Sequence, residues 1–363
     1  MTRVADHLPG LAPIGRPRLG FLGIGWIGHH RMKSMMDTHL IEVAAVADAS
    51  ADLTTRAAAL APGAKQAATL DELLQHDLDG IVIATPTALH AEQAIRALER
   101  GVAVFCQKPL GRTAAEVRSV THAARAADRL LAVDMSYRFT QGMQKIRELA
   151  AGGKLGDIFA ADLLFHNAYG PDKPWFYDAA LSGGGCVMDL GVHLIDLALW
   201  TLNFPKVSEV VANRFCGGEP LAAVSDAVED YAIATLTLET GAIVRLTCSW
   251  RLHAGCDAVI SAAFHGTEGG ATLSNVNGSF YDFTAEHHRG TAREVLSKPP
   301  DGWFGRAAAN WAMRLAAGER FDADVEQLVN TARVLDRIYG RLASRNGRLP
   351  EWEARPPSVP ARG

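Results

Sequence analysis

Short apolar runs alternate with helix-patterned stretches along the first third of the chain. Residues 18–23 (RLGFLG), 41–47 (IEVAAVA), 80–84 (GIVIA), 103–106 (AVFC) and 130–134 (LLAVD) read as buried strands. Between them, the spacing predicts helices from Gly28 to about Asp37, over 50–60, over 90–100 and from Thr113 to about Asp128. Thr69 with Glu72, and Thr113 with Glu116, have the spacing of a capping box at a helix start. Short apolar strands separated by helices of this length spell βαβ units and a parallel, doubly wound sheet of the Rossmann kind.

The pattern changes after about residue 135. A helix is expected over 141–151, stopped by Gly152-Gly153, then a strand over 156–165 and a loop over 171–175. Gly183, Gly184 and Gly185 precede a helix running to about Asn203. Strands follow over 207–215, 227–238, 242–250, 258–264 and 271–273, several alternating apolar and polar positions. Turn-prone residues at 239–241 and 266–270 join them, which predicts an open, mainly antiparallel sheet. Helices over 303–317 and 325–344 close the chain. The expected organisation is an arm at 1–17, a Rossmann domain at 18–135, an α+β substrate and oligomerisation domain at 136–349, and a proline-rich tail at 350–363.

At 363 residues, with 48% hydrophobic and 21% charged positions, the composition is that of a globular chain and excludes a disordered one. The formal charge of -4 gives no general footprint for nucleic acid or an anionic membrane. No apolar run approaches the ~18 residues of a membrane span. The start lacks the basic and apolar segments of a signal peptide. Cys106, Cys186, Cys216, Cys248 and Cys256 form no CxxC pair, so neither a metal site nor a disulfide framework is expected, and a cytoplasmic location is.

Residues 23–28 read GIGWIG and fit G-x-G-x-x-G, in the strand–turn–helix context that gives the motif meaning. Gly23 permits the tight turn, Gly25 lets the backbone approach a pyrophosphate, and Gly28 lets helix pack on strand. Trp26 and Ile27 sit at the helix start with the anion-binding amides. Asp48 lies 20 residues beyond Gly28 at the end of the second strand, placed to accept ribose hydroxyls and to repel a 2′-phosphate. No Arg follows it, which favours NAD over NADP. FAD and S-adenosylmethionine sites share this turn, and Asp48 can also serve as a helix cap.

Residues 84–111 (ATPTALHAEQAIRALERGVAVFCQKPLG), 182–196 (SGGGCVMDLGVHLID), the YRF segment at 137–139 and the GTEG turn at 266–269 add further motifs in order. Together with GIGWIG they resemble the Gfo/Idh/MocA family (glucose–fructose oxidoreductase, inositol dehydrogenase, rhizopine catabolism) over about residues 18–352. The resemblance implies a Rossmann domain followed by an open-sheet α/β domain. It implies hydride transfer between a nicotinamide and a hydroxyl or keto carbon of a sugar, sugar derivative or cyclitol. It also implies cofactor contacts at Thr85, Pro86, His90, Gln107 and Lys108, and a homodimer or homotetramer. One departure stands out: Gln107 occupies the position where the family commonly has Glu, so any electrostatic tuning by that carboxylate is lost.

The same residues have a physical case. Oxidising a carbinol requires removal of its hydroxyl proton, and histidine, with a pKa of ~6.5, suits that task. His193 is the candidate, with Asp189 one helical turn earlier on the same face. Lys108 follows a strand at the sheet edge where ligands bind, so its ammonium can stabilise a developing alkoxide. The resemblance gives catalytic or substrate roles to Lys108, Asp189 and His193. Arg138 reads as a substrate contact or an interdomain salt bridge, Asp196 as structural, and Trp175 as a sugar-pocket wall or core. Two rival functions remain: a reductase of a nucleotide-linked sugar or aminocyclitol in secondary metabolism, and a dinucleotide-binding sensor without turnover. The Lys108–Pro109 bond is expected to be cis, with the ammonium turned into the cofactor groove.

Overall fold

The computed structural model describes residues 13–222, 225 and 227–341. The start of the expected arm, the proline-rich tail and the end of the last expected helix lie outside these residues.

The first domain is a six-stranded, wholly parallel sheet built from β1 (Arg18–Leu22), β2 (Glu42–Ala47), β3 (Lys65–Ala67), β4 (Gly80–Ile83), β5 (Ala103–Cys106) and β6 (Leu131–Val133). Its order is β3-β2-β1-β4-β5-β6, so the winding reverses between β1 and β4 and opens a crevice at the C-terminal strand ends. Helices α1 (Trp26–Met36), α2 (Ala51–Leu60), α3 (Leu70–Leu73), α4 (Thr87–Glu99) and α5 (Ala114–Ala127) make the connections. Thr69 and Thr113 cap α3 and α5 through the amides of Glu72 and Glu116, as the spacing anticipates. The sequence reading misses β3, an edge strand of sequence KQA whose first two residues are exposed, so it carries no apolar run.

The second domain is a nine-stranded sheet of β7 (Ile158–Asn167), β8 (Val207–Cys216), β9 (Glu219–Pro220), β10 (Tyr231–Leu238), β11 (Ile243–Ser249), β12 (Ala258–Gly266), β13 (Gly270–Asn275), β14 (Phe283–Arg289) and β15 (Ala292–Ser297). The order is β15-β14-β13-β12-β7-β11-β10-β8-β9, and all pairings are antiparallel except β7 with β11. Along β10, Ala232, Ala234, Leu236 and Leu238 point into the core while Ile233, Thr235 and Thr237 point out. The helices α6 (Gln141–Ala151), α8 (Val192–Thr201) and α10 (Leu328–Ile338) pack on the inner face, and the short α7 (Ala179–Ser182) precedes the glycine run. β14 and β15 escape the sequence reading because FTAEHHR is mostly polar or charged and the apolar positions of AREVLS are interrupted by Arg293 and Glu294.

Two features differ from the reading. The helix expected after Gly185 does not start as an α-helix: Val187–Gly191 winds as a π-helical turn before α8. The stretch Ala179–Thr201 has the length and mean hydropathy of a membrane crossing, but 83% of its most apolar window is buried inside the protein. It is a core helix. The helix α9 (Arg306–Ala316), read as part of the second domain, packs back on the parallel sheet. Its Trp311 lies 5.8 Å from the Phe105 ring, in a core cluster with Leu19, Phe21, Ala308 and Ala312.

Trp311 therefore clasps the returning chain to the first domain. Trp311→Ala should lower stability by about 3–5 kcal/mol, the usual cost of emptying a buried tryptophan site. Urea unfolding followed by circular dichroism reads the change as a lower midpoint with an unchanged slope.

Candidate active site

β1 ends at Leu22 and the chain turns at Gly23, whose φ is +82°. The turn is laced to the end of β2: Gly23 N–H donates to the Ala47 carbonyl at 2.9 Å and Ile24 N–H to Asp48 Oδ2 at 2.6 Å. A Cβ on Gly23 would lie 2.6 Å from the Ala84 carbonyl, and one on Gly28 would run into the Gly23 carbonyl oxygen. Protein packing explains both glycines. It does not explain Gly25, which has ordinary backbone angles (φ -62°, ψ -172°) and no atom within 4 Å of where a Cβ would sit. Gly25 stands over an α1 N-terminus that no side chain caps. Open space above free helix amides is what an approaching pyrophosphate requires, so these residues fit a dinucleotide.

Asp48 also accepts from Ser50 N–H, through Oδ1 at 2.8 Å. Each of its oxygens keeps a lone pair for a ribose hydroxyl. The alternative role of helix cap is taken by Ser50, which caps α2 through the Leu53 amide. Trp26, Ile27, Asp48, Thr85 and Pro86 line a cleft of about 790 Å³ at the strand ends. Trp26 is 61% exposed and leans on Phe304, with ring centres 5.5 Å apart. His90 also lines the cleft. Its two ring nitrogens lie 2.8 and 2.7 Å from the carbonyls of Pro109 and Thr85, so the imidazole is held between two loops.

Lys108, Asp189 and His193 line the same cleft. The Lys108–Pro109 bond is cis. Lys108 Nζ donates to Asp189 Oδ1 and to the Asp189 backbone carbonyl, both at 2.7 Å, which leaves a third N–H. Asp189 rides on the π-turn and faces the lysine, so its role with respect to His193 is not that of an i,i+4 partner on an α-helix. Its Oδ2 accepts from Trp250 Nε1 at 3.1 Å. His193 is buried against the Tyr137 ring, with centroids 4.9 Å apart. Burial first, then the charges of Lys108 and Arg31, hold its pKa well below the usual value, so the ring is neutral and able to accept a proton at neutral pH.

Arg138 is also corrected. Its guanidinium forms a two-pronged pair with the buried Asp196, Nε to Oδ2 at 2.6 Å and Nη2 to Oδ1 at 2.5 Å. It is absent from the cleft lining, so it is a structural ion pair and not a substrate contact. Trp175 lines the cleft and stacks on Phe176 at 3.8 Å. Three site residues went unread in the sequence: Trp250, and the buried pair Arg31 and Asp134, joined at 2.5 Å. Their partners lie 61 to 103 positions away, so local pattern holds no signal for them; Asp134 at a strand end was the one legible hint. Among the described residues no cluster of three or more His, Cys, Asp or Glu is placed to hold a metal.

A cofactor crevice that opens onto a lysine–aspartate–histidine group defines an oxidoreductase site, and comparison with known proteins agrees. The chain belongs to the Gfo/Idh/MocA oxidoreductase family: the NAD-binding Rossmann model matches residues 18–135 and the GFO/IDH/MocA C-terminal domain model matches residues 143–272. It is similar to D-glucoside 3-dehydrogenase of Escherichia coli (strain K12), 31% identical over 272 residues, covering 70% of this chain and 76% of that protein. It is also similar to inositol 2-dehydrogenase of Rhizobium meliloti (strain 1021), 27% identical, covering 77% and 78%. Among solved structures, GenD2 from gentamicin A biosynthesis in complex with NAD shares the fold, with a TM-score of 0.74 at 23% identity, covering 92% of this chain and 97% of that one.

Two expectations follow. Gly25→Ala should fold with an unchanged melting temperature and bind NAD at least about tenfold more weakly, since its Cβ meets the ligand alone, whereas Gly28→Ala should lower the melting temperature itself. Calorimetric NAD titrations and thermal scans separate the two. Next, a depressed histidine pKa means proton-accepting capacity is kept through neutrality and lost only as pH falls through that lower value. In the oxidising direction the acid limb of kcat/KM should lie well below about 6.5. His193→Asn should remove that limb and lower kcat by about 10² to 10⁴-fold.

Proposed function

We propose that this protein is an NAD(H)-dependent dehydrogenase or reductase acting at a hydroxyl or keto carbon of a sugar, sugar derivative or cyclitol. The observation that carries the reading is the placement of Lys108, paired with Asp189, and of His193 in the same cleft that the glycine turn lines. Bound NAD supplies hydride acceptance or donation. Gly25, Trp26, Ile27 and the α1 amides hold its phosphates, Asp48 its adenosine ribose, and Thr85, Pro86 and Gln107 the far half. In oxidation, the free N–H of Lys108 binds the reacting hydroxyl oxygen and favours the alkoxide, while neutral His193 accepts the hydroxyl proton. Asp189 keeps the lysine aimed, and Trp250 keeps Asp189 aimed. In reduction the proton returns from His193 to the oxygen as the carbonyl is converted to alcohol. Trp175 with Phe176 offers an aromatic wall on which the C–H face of a sugar ring can lie.

The sensor alternative has less support, because a protein that only binds a dinucleotide has no use for an aimed lysine and a neutral buried histidine. Five free cysteines, none paired, fit a reducing compartment such as the cytoplasm. The outward face of the nine-stranded sheet exposes Val211, Ile233 and Ile243, which supports a homodimer or homotetramer.

The test is a panel of glucosides, free sugars, inositols and a nucleotide-linked sugar with NAD and with NADP, followed by nicotinamide absorbance. Turnover of a sugar or cyclitol with NAD is expected, and no turnover with any member returns the sensor reading. Asp48→Ala should weaken NAD and reduce the preference over NADP, because the repulsion of a 2′-phosphate goes with the carboxylate. A wild type that prefers NADP overturns the assignment of Asp48.

A further inference from the structure

The ends of β5 and β6 hold a carboxylate that the chemistry above does not use. Asp134 follows β6 and is 1% exposed. Its Oδ2 accepts from Gln107 Nε2 at 2.6 Å and from Arg31 Nε at 2.5 Å. Its Oδ1 is buried and has no hydrogen-bond partner among the described residues. Arg31 is fixed in turn by the Phe304 carbonyl, 2.5 Å from its Nη1, and by the Phe304 ring, 4.2 Å below the guanidinium. Asp134, Gln107 and Arg31 all line the cleft.

A glutamine amide has a donating end and an accepting end, and alone it can present either. A carboxylate only accepts. Asp134 therefore takes the Nε2 end, and Gln107 Oε1 is left as a fixed acceptor. The sheet order says which half of a bound dinucleotide lies nearest Gln107. Asp48 marks the β2 side of the reversal between β1 and β4; Gln107 lies on the other side, next in sequence to Lys108. A dinucleotide straddling the reversal puts its nicotinamide half there.

We propose that Asp134 is a positioning residue for the bound dinucleotide: it carries, one strand over, the negative charge absent at position 107, and it locks the Gln107 amide with Oε1 toward a hydroxyl of the nicotinamide-side ribose. The proposal rests on the NAD-binding reading of the cleft. In this chain the site keeps its carboxylate and its acceptor but divides them between two residues.

Calorimetric titration of wild type, D134N, Q107E and the double variant Q107E/D134N with NAD and with ADP tests it. ADP carries the adenosine half and no nicotinamide ribose. D134N and Q107E should each weaken NAD by about tenfold or more, the scale of a lost charge-assisted hydrogen bond, and leave ADP within about twofold. The double variant, in which amide and carboxylate have changed places, should recover NAD affinity to within about threefold of wild type. Equal losses of NAD and ADP in D134N, or a double variant no better than its worse parent, overturn the proposal. If D134N does not fold by circular dichroism, Q107E decides alone: two facing carboxylates must cost NAD affinity and spare ADP, and wild-type NAD binding by Q107E overturns it. Failure of the wild type to bind either NAD or ADP breaks the cofactor reading itself, a result distinct from all of these.

Discussion

A helix with no solvent face sets the terms for the second half of the site. Every residue of α8, Val192 to Thr201, is buried, so no polar side chain on it can be satisfied by water. A buried carboxylate without a partner is costly, and removing one member of a buried ion pair typically costs about 3–5 kcal/mol. Asp196 is one such carboxylate, and Arg138 is bound to it by both prongs of its guanidinium. That demand of the core withdraws Arg138 from any substrate. His193, on the same helix, meets the same constraint differently. It stays neutral against Tyr137, and neutrality is what a proton acceptor needs. Asp189 escapes α8 by one π-turn and reaches across to Lys108 of the other domain. One apolar helix thus assigns three polar residues three different tasks.

The parts of this arrangement that were legible in the sequence are those decided within a few residues. The glycine turn, the Thr69 and Thr113 caps and the alternation of strand and helix are short-range facts, and the structure has them where the pattern puts them. The strands that were missed, β3, β9, β14 and β15, lie at or near sheet edges; β3, β9 and most of β15 are exposed, and β14 buries only alternate positions, Phe283, Ala285 and His287, between polar ones. Roles fixed by distant partners were beyond reach. His90 reads as a cofactor contact because it sits in a cofactor motif, yet two carbonyls claim its ring. α9 reads as second-domain because of its position in the chain, yet Trp311 fits a recess against Phe105. In each case a local pattern placed the residue in its motif or helix and could not say to what it was joined.

The electrostatics of the cleft show the same logic on a larger scale. Two cations, Lys108 and Arg31, and two carboxylates, Asp189 and Asp134, face one another in pairs across element boundaries. Each pair is close to neutral, so neither by itself attracts any anion or cation indiscriminately. What remains free is specific: a third N–H on Lys108, an amide oxygen on Gln107, an uncapped helix end beneath Gly25. Each free group is the residue of a pairing that fixed its orientation first. Preorganisation of this kind matters more for an alkoxide than the count of charges nearby, because donors already aimed require no reorganisation when the charge develops. On the proposed mechanism, the residues holding the pairs, Asp189, Trp250 and Asp134, act through the freedom they remove, although the lysine and the histidine alone would meet the reacting oxygen and its proton.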